Sequence, residues 1–498
     1  MRIRVSAGQH GLQPEDGMKE LIELALDAAD QAGAEYADIR IVERETESLA
    51  VKNGVLGSAS SDRSAGFGVR VLLNGAWGFA GSAQLEPAEV TQVAREAMAI
   101  ARASGMARRE PIVLDDTPPV VGSYHAPFIE DPMAVSIDDK LKILLEADAA
   151  MGRVAGINVR QGRIESARER KTFASSEGAH IEQELVETGG GIEVSAARGS
   201  EVQQRSYPAS AGGQHVTGGF EAIRALDLPG HGQRIAEEAV ALLDAPDCPS
   251  GDMTVIIDSS QMALQVHESC GHPIELDRVL GMEASFAGTS FLTLDKLGVL
   301  QYGSELVNIE ADATIPGGLG TFGFDDEGVP AQNVPIVSAG LFVGYLTNRE
   351  TAPIIGRRSM GSSRASGWNV IPIIRMTNVN LRPGAAGSLQ DLIADTANGL
   401  FLSTNHSWSI DDRRLNFQFG TQIGWLIRDG RLTQMVKNPI YTGITPEFWG
   451  RCDAICGPQE WHLWGVPNCG KGEPMQTHRV GHGAAPARFH GVRVGVGK

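Results

Sequence analysis

Val266-His267-Glu268-Ser269-Cys270-Gly271-His272-Pro273 sets two imidazoles five residues apart, with a carboxylate directly after the first. Imidazole is the commonest neutral ligand for zinc. A carboxylate beside a metal-bound water can take its proton and pass it to a leaving group. On a helix, residues four apart lie roughly 40° apart and residues five apart roughly 140°. A regular helix therefore cannot aim His267 and His272 at one ion. Gly271 and Pro273 flank His272, and both residue types end or distort helices. The stretch predicts a helix that carries His267 and Glu268 and then ends, kinks or widens into a single π-type turn near Gly271, swinging His272 back. The plainer alternative is two ordinary polar residues at a helix end.

Upstream, residues 254–257 form a short apolar strand that leads straight into this helix. Downstream, short apolar runs at 334–337, 341–346, 370–376, 415–419 and 422–427 are punctuated by Pro and Gly. Such spacing predicts a curved or barrel-like sheet, interrupted by one helix at 389–397. A boundary falls at 245–251, where Pro, Ser, Asp and Gly cluster.

Before that boundary one pattern occurs twice. Residues 18–32 place Leu21, Leu24, Ala25 and Ala28 at helical spacing, and Ala37, Ile39 and Ile41 then alternate as in a strand. Asn53-Gly54 and Asn74-Gly75 are hairpin turns of the favoured type. A second amphipathic helix covers 86–103, with Pro87 in its first turn. The second unit opens with Ser136 and a helix to Met151. It runs on through extended segments on either side of Gly178 and closes with a helix at 231–243. Residues 111–132, rich in Pro and Asp, read as the linker. The fold class expected is α+β: an N-terminal domain, 1–247, of two helix-strands-helix units (about 1–110 and 133–247), then a C-terminal, mainly β, barrel-like domain, 248–498, carrying the metal helix.

A chain of 498 residues exceeds one ordinary core, which agrees with two domains. A formal net charge of −18 disfavours a nucleic-acid backbone as partner. No apolar run is long enough to cross a bilayer, and Met1-Arg2-Ile3-Arg4-Val5 leads into no secretory apolar region, so a cytoplasmic protein without membrane partners is expected. The five cysteines, Cys248, Cys270, Cys452, Cys456 and Cys469, are scattered and odd in number, so reduced thiols are expected.

A catalytic zinc takes three protein ligands and keeps one open position. Cys270, Glu275, Cys452, Cys456, Cys469 and the late histidines, His478 and His482 among them, are all candidates for the third. The Cys452–Cys456 pair lacks a second tight ligand pair, and Cys270 suits packing. The glycines around His478 and His482 argue against a helix there and suggest a surface or substrate-lining tail. Asp325, Asp326 and Glu327 lack the alternation of a calcium loop and read as a solvated turn.

His-Glu-x-x-Gly-His with Glu275 resembles the metal motif of the TldD/PmbA family of zinc peptidases. Three further stretches carry the resemblance: Gly320-Thr321-Phe322-Gly323-Phe324-Asp325-Asp326-Glu327-Gly328, Gly361-Ser362-Ser363-Arg364, and Pro372-Ile373-Ile374-Arg375-Met376-Thr377-Asn378. It spans about residues 21–489, and the intact histidine motif places the chain with the metal-bearing, TldD-type members. The resemblance implies Cys469, in Pro467-Asn468-Cys469-Gly470-Lys471, as third ligand, one Zn2+ per chain, and the acidic loop near the active site. It implies Glu268 as general base and acid in hydrolysis of peptides or unfolded segments by a zinc-activated water. It also implies a dimer, either homomeric or with a metal-free family partner. Glu275 would orient a ligand or face solvent, and Arg364 and Arg375 would hold a peptide carboxylate or carbonyl, or serve structure. A non-hydrolytic peptide-binding or assembly subunit is the alternative function.

Overall fold

The computed structural model describes residues 15–107, 110–210 and 212–495. The reading of Met1 to Val5 lies outside them. The first unit is α1 (Glu15–Gln31), β1 (Tyr36–Lys52), β2 (Val55–Leu73), β3 (Ala76–Ser82) and α2 (Pro87–Ala107). A strand β4 (Val121–His125) precedes the second unit: α3 (Ile137–Met151), β5 (Ile157–Ser175), β6 (His180–Arg198), β7 (Glu201–Tyr207), β8 (Gln214–Thr217), α4 (Glu221–Leu226) and α5 (Leu228–Asp244).

Both units build one eight-stranded sheet in the order β3-β2-β1-β5-β6-β4, with β7 and β8 also on β6. They are joined along their long first strands, β1 and β5, which run antiparallel from Asp38 opposite Ser175 to Lys52 opposite Gln161. Each unit keeps its own apolar cluster: Leu21, Ile39, Phe67 and Met98 in the first, Leu144, Ile164, Phe220 and Ile235 in the second. The hairpin turns need positive φ at both central residues. Asn53 and Gly54 supply 49° and 76°, Asn74 and Gly75 49° and 68°. Ser136 caps α3, accepting from the Asp139 N–H at 3.1 Å, a contact that contributes about 1 kcal/mol.

The linker expectation needs correction. Within 111–132, β4 pairs parallel to β6, and Asp115 is buried against Arg349 at 3.1 Å. Unpaired main chain at a sheet edge gains hydrogen bonds there, which composition alone does not register.

The C-terminal part starts with β9 (Gly251–Ile257), which runs into α6 (Ser259–Val266). It is completed by β10 (Asn398–Ile410), β11 (Asn416–Arg428), β12 (Ile440–Ile444), β13 (His462–Lys471), β14 (Gln476–Ala484) and β15 (Ala487–Val494). Strands β10-β9-β15-β12-β11 close back onto β10, so five strands form a barrel. Its one parallel pair is β10 with β9, Phe401 opposite Ile256. Val255, Ile257, Leu400, Phe419, Tyr441 and Phe489 belong to the buried cluster around it. A separate four-stranded sheet (309–312, 333–338, 341–342 and 379–381) and the β13–β14 hairpin pack beside it.

Two expected strands, 415–419 and 422–427, are one: β11 runs unbroken through Gly420, because both halves pair with β10, whose register shift between Asn405 and Ser407 lies opposite. The runs at 341–346 and 370–376 shorten to Leu341–Phe342 and Ile373–Ile374. The helix near 389 spans Leu389–Ala394 and opens with a capping box of Ser388 and Asp391.

The acidic loop is also a correction. Asp325, Asp326 and Glu327 are buried, not solvated. Lys171 reaches Asp326 at 2.7 Å and Arg70 reaches Glu327 at 2.9 Å, so the loop is the counter-charge to basic residues of the N-terminal sheet. Burial pushes the Asp326 carboxyl up, but Lys171 and Arg40 outweigh it and hold it below the usual range.

Candidate metal centre

The stem of the site is α6. The Asp258 carboxylate caps it, accepting from the Gln261 N–H at 2.8 Å. The helix is regular to Val266 and then widens: His267–Gly271 is a π turn in which the His272 N–H donates to the His267 carbonyl at 3.1 Å. A π turn takes up one more residue than an α turn, so residues five apart face the same side. Tyr302 donates to the Ser269 carbonyl at 3.0 Å and Trp449 to the Ser269 hydroxyl at 3.0 Å, which anchor the turn from outside. Gly271 sits where a Cβ would lie 2.3 Å from Met376 Sδ. Its role is close approach rather than an unusual φ.

Cys469 arrives from β13. Its Sγ is 3.5 Å from His267 Nε2 and 3.6 Å from His272 Nε2, and the three donors all lie within 4.8 Å of one another. All three residues are buried. Zinc bound tetrahedrally at about 2.0–2.1 Å to nitrogen and about 2.3 Å to sulfur would separate those donors by roughly 3.6 Å. The spacing and the donor chemistry therefore fit a zinc ion with a further position open to the cavity.

The far nitrogen of each imidazole is also committed. His272 Nδ1 lies 3.0 Å from Glu275 Oε2; a carboxylate only accepts, so Nδ1 carries the proton and Nε2 the lone pair. His267 Nδ1 lies 2.7 Å from His482 Nε2, and His482 Nδ1 donates to the Val379 carbonyl at 2.9 Å. A neutral His482 must then accept through Nε2, which leaves His267 Nε2 free as a ligand. Burial, with His267 adding to it, holds His482 well below the ordinary imidazole pKa. Burial likewise lowers His267, and lowers His272 further despite Cys469 beside it. Neutral imidazoles are the form that binds a metal.

Glu275 is fully buried and orients His272. Lys471 Nζ, Arg278 Nε and Arg375 Nε surround it at 3.6, 3.9 and 3.9 Å. Lys471 in turn donates to Asp277 at 2.6 and 2.8 Å and to the Ile374 carbonyl at 2.6 Å. Arg375 donates to the Cys469 carbonyl at 2.7 Å and holds the strand that delivers the thiol. Arg364 donates to the Met376 and Arg479 carbonyls at 2.9 and 2.8 Å. Both arginines thus serve the chain's own backbone.

Glu268 turns towards a cavity of about 310 Å3 also lined by Trp408, Trp464, Val466 and Pro467, with Ser210 contributed by the N-terminal part. Arg414 Nη1 donates to Glu268 Oε2 at 2.7 Å.

The remaining cysteines are elsewhere. Cys270 packs by Tyr302, with its thiol pushed up to about 12 by burial. Cys452 and Cys456 are buried thiols outside the donor group. His478 and His482 lie in β14 and are buried, correcting the expected surface tail. Two roles in the site were not anticipated: His482, a candidate ligand in the sequence, stands behind His267 instead, and Arg414 contacts Glu268. His482 shares the inward face of β14 with His478 and Val480, a period-two signal readable once the segment is taken as a strand. Arg414 carries no local signal.

Residues 37–101, 130–243 and 250–495 match domain 1, the central domain and the C-terminal domain of the PmbA/TldA metallopeptidases. A metalloprotease of Methanocaldococcus jannaschii is 31% identical over 472 residues, covering 94% of this chain and 98% of that protein. A metalloprotease of Methanothermobacter thermautotrophicus is 32% identical over 463 residues, with 93% and 95% covered. Among solved structures, TldE from Thermococcus kodakarensis shares the fold at a TM-score of 0.73 and 18% identity, over 96% of this chain and 100% of that one.

Proposed function

The chain belongs to the PmbA/TldD family of zinc metallopeptidases, and from that premise we propose that it cleaves peptides or unfolded segments with Glu268 as general base and acid. The observation that carries this reading is the meeting of His267 Nε2, His272 Nε2 and Cys469 Sγ beside Glu268 at one cavity.

His267, His272 and Cys469 would hold one Zn2+, with His482 and Glu275 keeping the imidazoles in the binding tautomer. A zinc ion there supplies carbonyl polarisation and acidifies water. Glu268 accepts a proton from the attacking water and returns it to the leaving amine. The apolar walls at Trp408, Trp464 and Val466 receive the peptide. Residues 248–498 would form the metallopeptidase domain and 1–247 the domain that closes the cavity from the side of Ser210. A dimer, either of two copies or with a metal-free family partner, and a cytoplasmic location complete the proposal. Among the described residues no helix is long and apolar enough to cross a membrane.

The test is a peptide-library digest with the zinc-loaded chain, with chelator, and after zinc is restored. Cleavage lost and regained with the metal is expected. A zinc-replete chain that cuts nothing, alone or with its co-purifying subunit, would favour the non-hydrolytic binding subunit.

A further inference from the structure

Arg414 stands at the connection between β10 and β11, 146 residues from Glu268, yet it donates to that carboxylate, 2.7 Å from Nη1 to Oε2. Its backbone is in the left-handed region at φ 61°, which a side chain with a Cβ adopts only where the surroundings over-determine it.

The surroundings do so from three directions. The Arg414 N–H donates to the Asp411 carbonyl at 2.8 Å, and the Asp411 carboxylate accepts from the Leu415 N–H at 2.8 Å. Thr445 donates its hydroxyl to the Arg414 carbonyl at 3.1 Å. The N–H groups of Thr289 and Phe291 donate to the carbonyls of Asp412 and Arg413, both at 2.8 Å. A turn pinned this way delivers the guanidinium to one place, on the wall of the cavity that holds the three metal donors. Such strained, over-determined residues gather at working sites.

We propose that Arg414 is a positioning residue of the reaction: it clamps Glu268 through Oε2 and so leaves Oε1 as the oxygen that exchanges the proton. This rests on the assignment of Glu268 as base. A carboxylate on a side chain with three rotatable bonds otherwise samples several rotamers, and a base must stand within hydrogen-bond reach of the proton it takes. A charge-assisted bond from a rigid fork removes that freedom at one oxygen without occupying the other.

The experiment compares the zinc-loaded wild type with Arg414→Gln, Arg414→Lys, Glu268→Gln and the double variant Glu268→Gln/Arg414→Gln. It uses a fluorogenic peptide from the digest, zinc content, thermal melting and crystal structures of the wild type and Arg414→Gln. Arg414→Gln should keep zinc and fold, and lose kcat by about 100-fold with KM within about twofold. Arg414→Lys should recover part of the loss. In the Glu268→Gln background the second substitution should change the residual rate by less than about twofold, because a positioning effect has nothing left to act through. The Arg414→Gln crystal should show Glu268 displaced. A wild-type kcat, a loss confined to KM, or equal losses in both backgrounds overturns the proposal. So does an unmoved Glu268 in the crystal, which decides the matter even if no variant, wild type included, cleaves peptide. A wild-type rate in Glu268→Gln itself would instead remove Glu268 as base.

Discussion

His482 Nε2 lies 2.7 Å from His267 Nδ1, so the first imidazole of the motif is held by a histidine 215 residues further along the chain. Through it the Val379 carbonyl sets the tautomer of His267 without touching it. Replacing His482 with Phe keeps a planar ring, somewhat larger than imidazole, and removes the acceptor. Zinc affinity should fall about 10–100-fold, measured by competition with a chromogenic chelator. Unchanged affinity would mean that the relay does not control the ligand.

Cys469→Ala should abolish tight zinc binding, since the thiolate supplies one of three donors. Cys452→Ala and Cys456→Ala should each leave about one zinc per chain, because neither thiol belongs to the donor group. Elemental analysis separates the cases, and full zinc retention in Cys469→Ala would exclude it from the site.

Glu268→Gln preserves shape and removes basicity. The variant should bind zinc as the wild type does and lose cleavage by about 10²–10⁴-fold, read with a fluorogenic peptide. A metal-replete variant at the wild-type rate would move the proton transfer to another group.

A methyl group added at Gly271 would meet Met376 Sδ at 2.3 Å inside the π turn. Gly271→Ala should destabilise the metal-free chain by about 1–3 kcal/mol in urea unfolding and weaken zinc binding. Shortening the obstacle with Met376→Ala in the same chain should restore part of the zinc affinity. No rescue would indicate that the turn needs glycine for another reason.

Burial pushes the Cys452 and Cys456 thiols from 9.0 up to about 12. A group whose pKa is raised on folding contributes stability below its unfolded value and loses it as pH rises through the folded one. Stability should therefore fall from about pH 9 upwards, as unfolded thiols ionise and folded ones do not. The urea midpoint of the Cys452→Ala/Cys456→Ala variant should decline less steeply between pH 8 and 11 than that of the wild type. Parallel declines would assign the alkaline loss to other groups.

Much of the fold was readable because its causes are local. Two Asn-Gly pairs marked their hairpins, Ser136 marked the start of α3, and the spacing of His267 and His272 demanded the irregular turn that is present. The errors share a cause as well. Asp325 to Glu327 looked solvated because charged runs usually are, yet Arg40, Arg70 and Lys171 approach from another sheet and replace the water. The break expected between 419 and 422 did not occur because β10 pairs on both sides of it and takes up the irregularity itself, as a register shift between Asn405 and Ser407.

The sequence by itself determined the chemistry of the centre: two imidazoles and a carboxylate at a spacing that no regular α-helix can aim at one ion, since backbone geometry converts spacing along one helix into direction. Tertiary structure alone decided what surrounds them. Cys469 reaches the histidines because β13 pairs with β14 in a register that sets it opposite His478. His482 stands behind His267 because it lies four residues further along β14, and Arg414 meets Glu268 because a left-handed turn ends the β10–β11 hairpin. Those meetings depend on strand register and barrel closure, which are settled by the hydrogen bonding and burial of the whole chain at once and leave no trace in the few residues on either side.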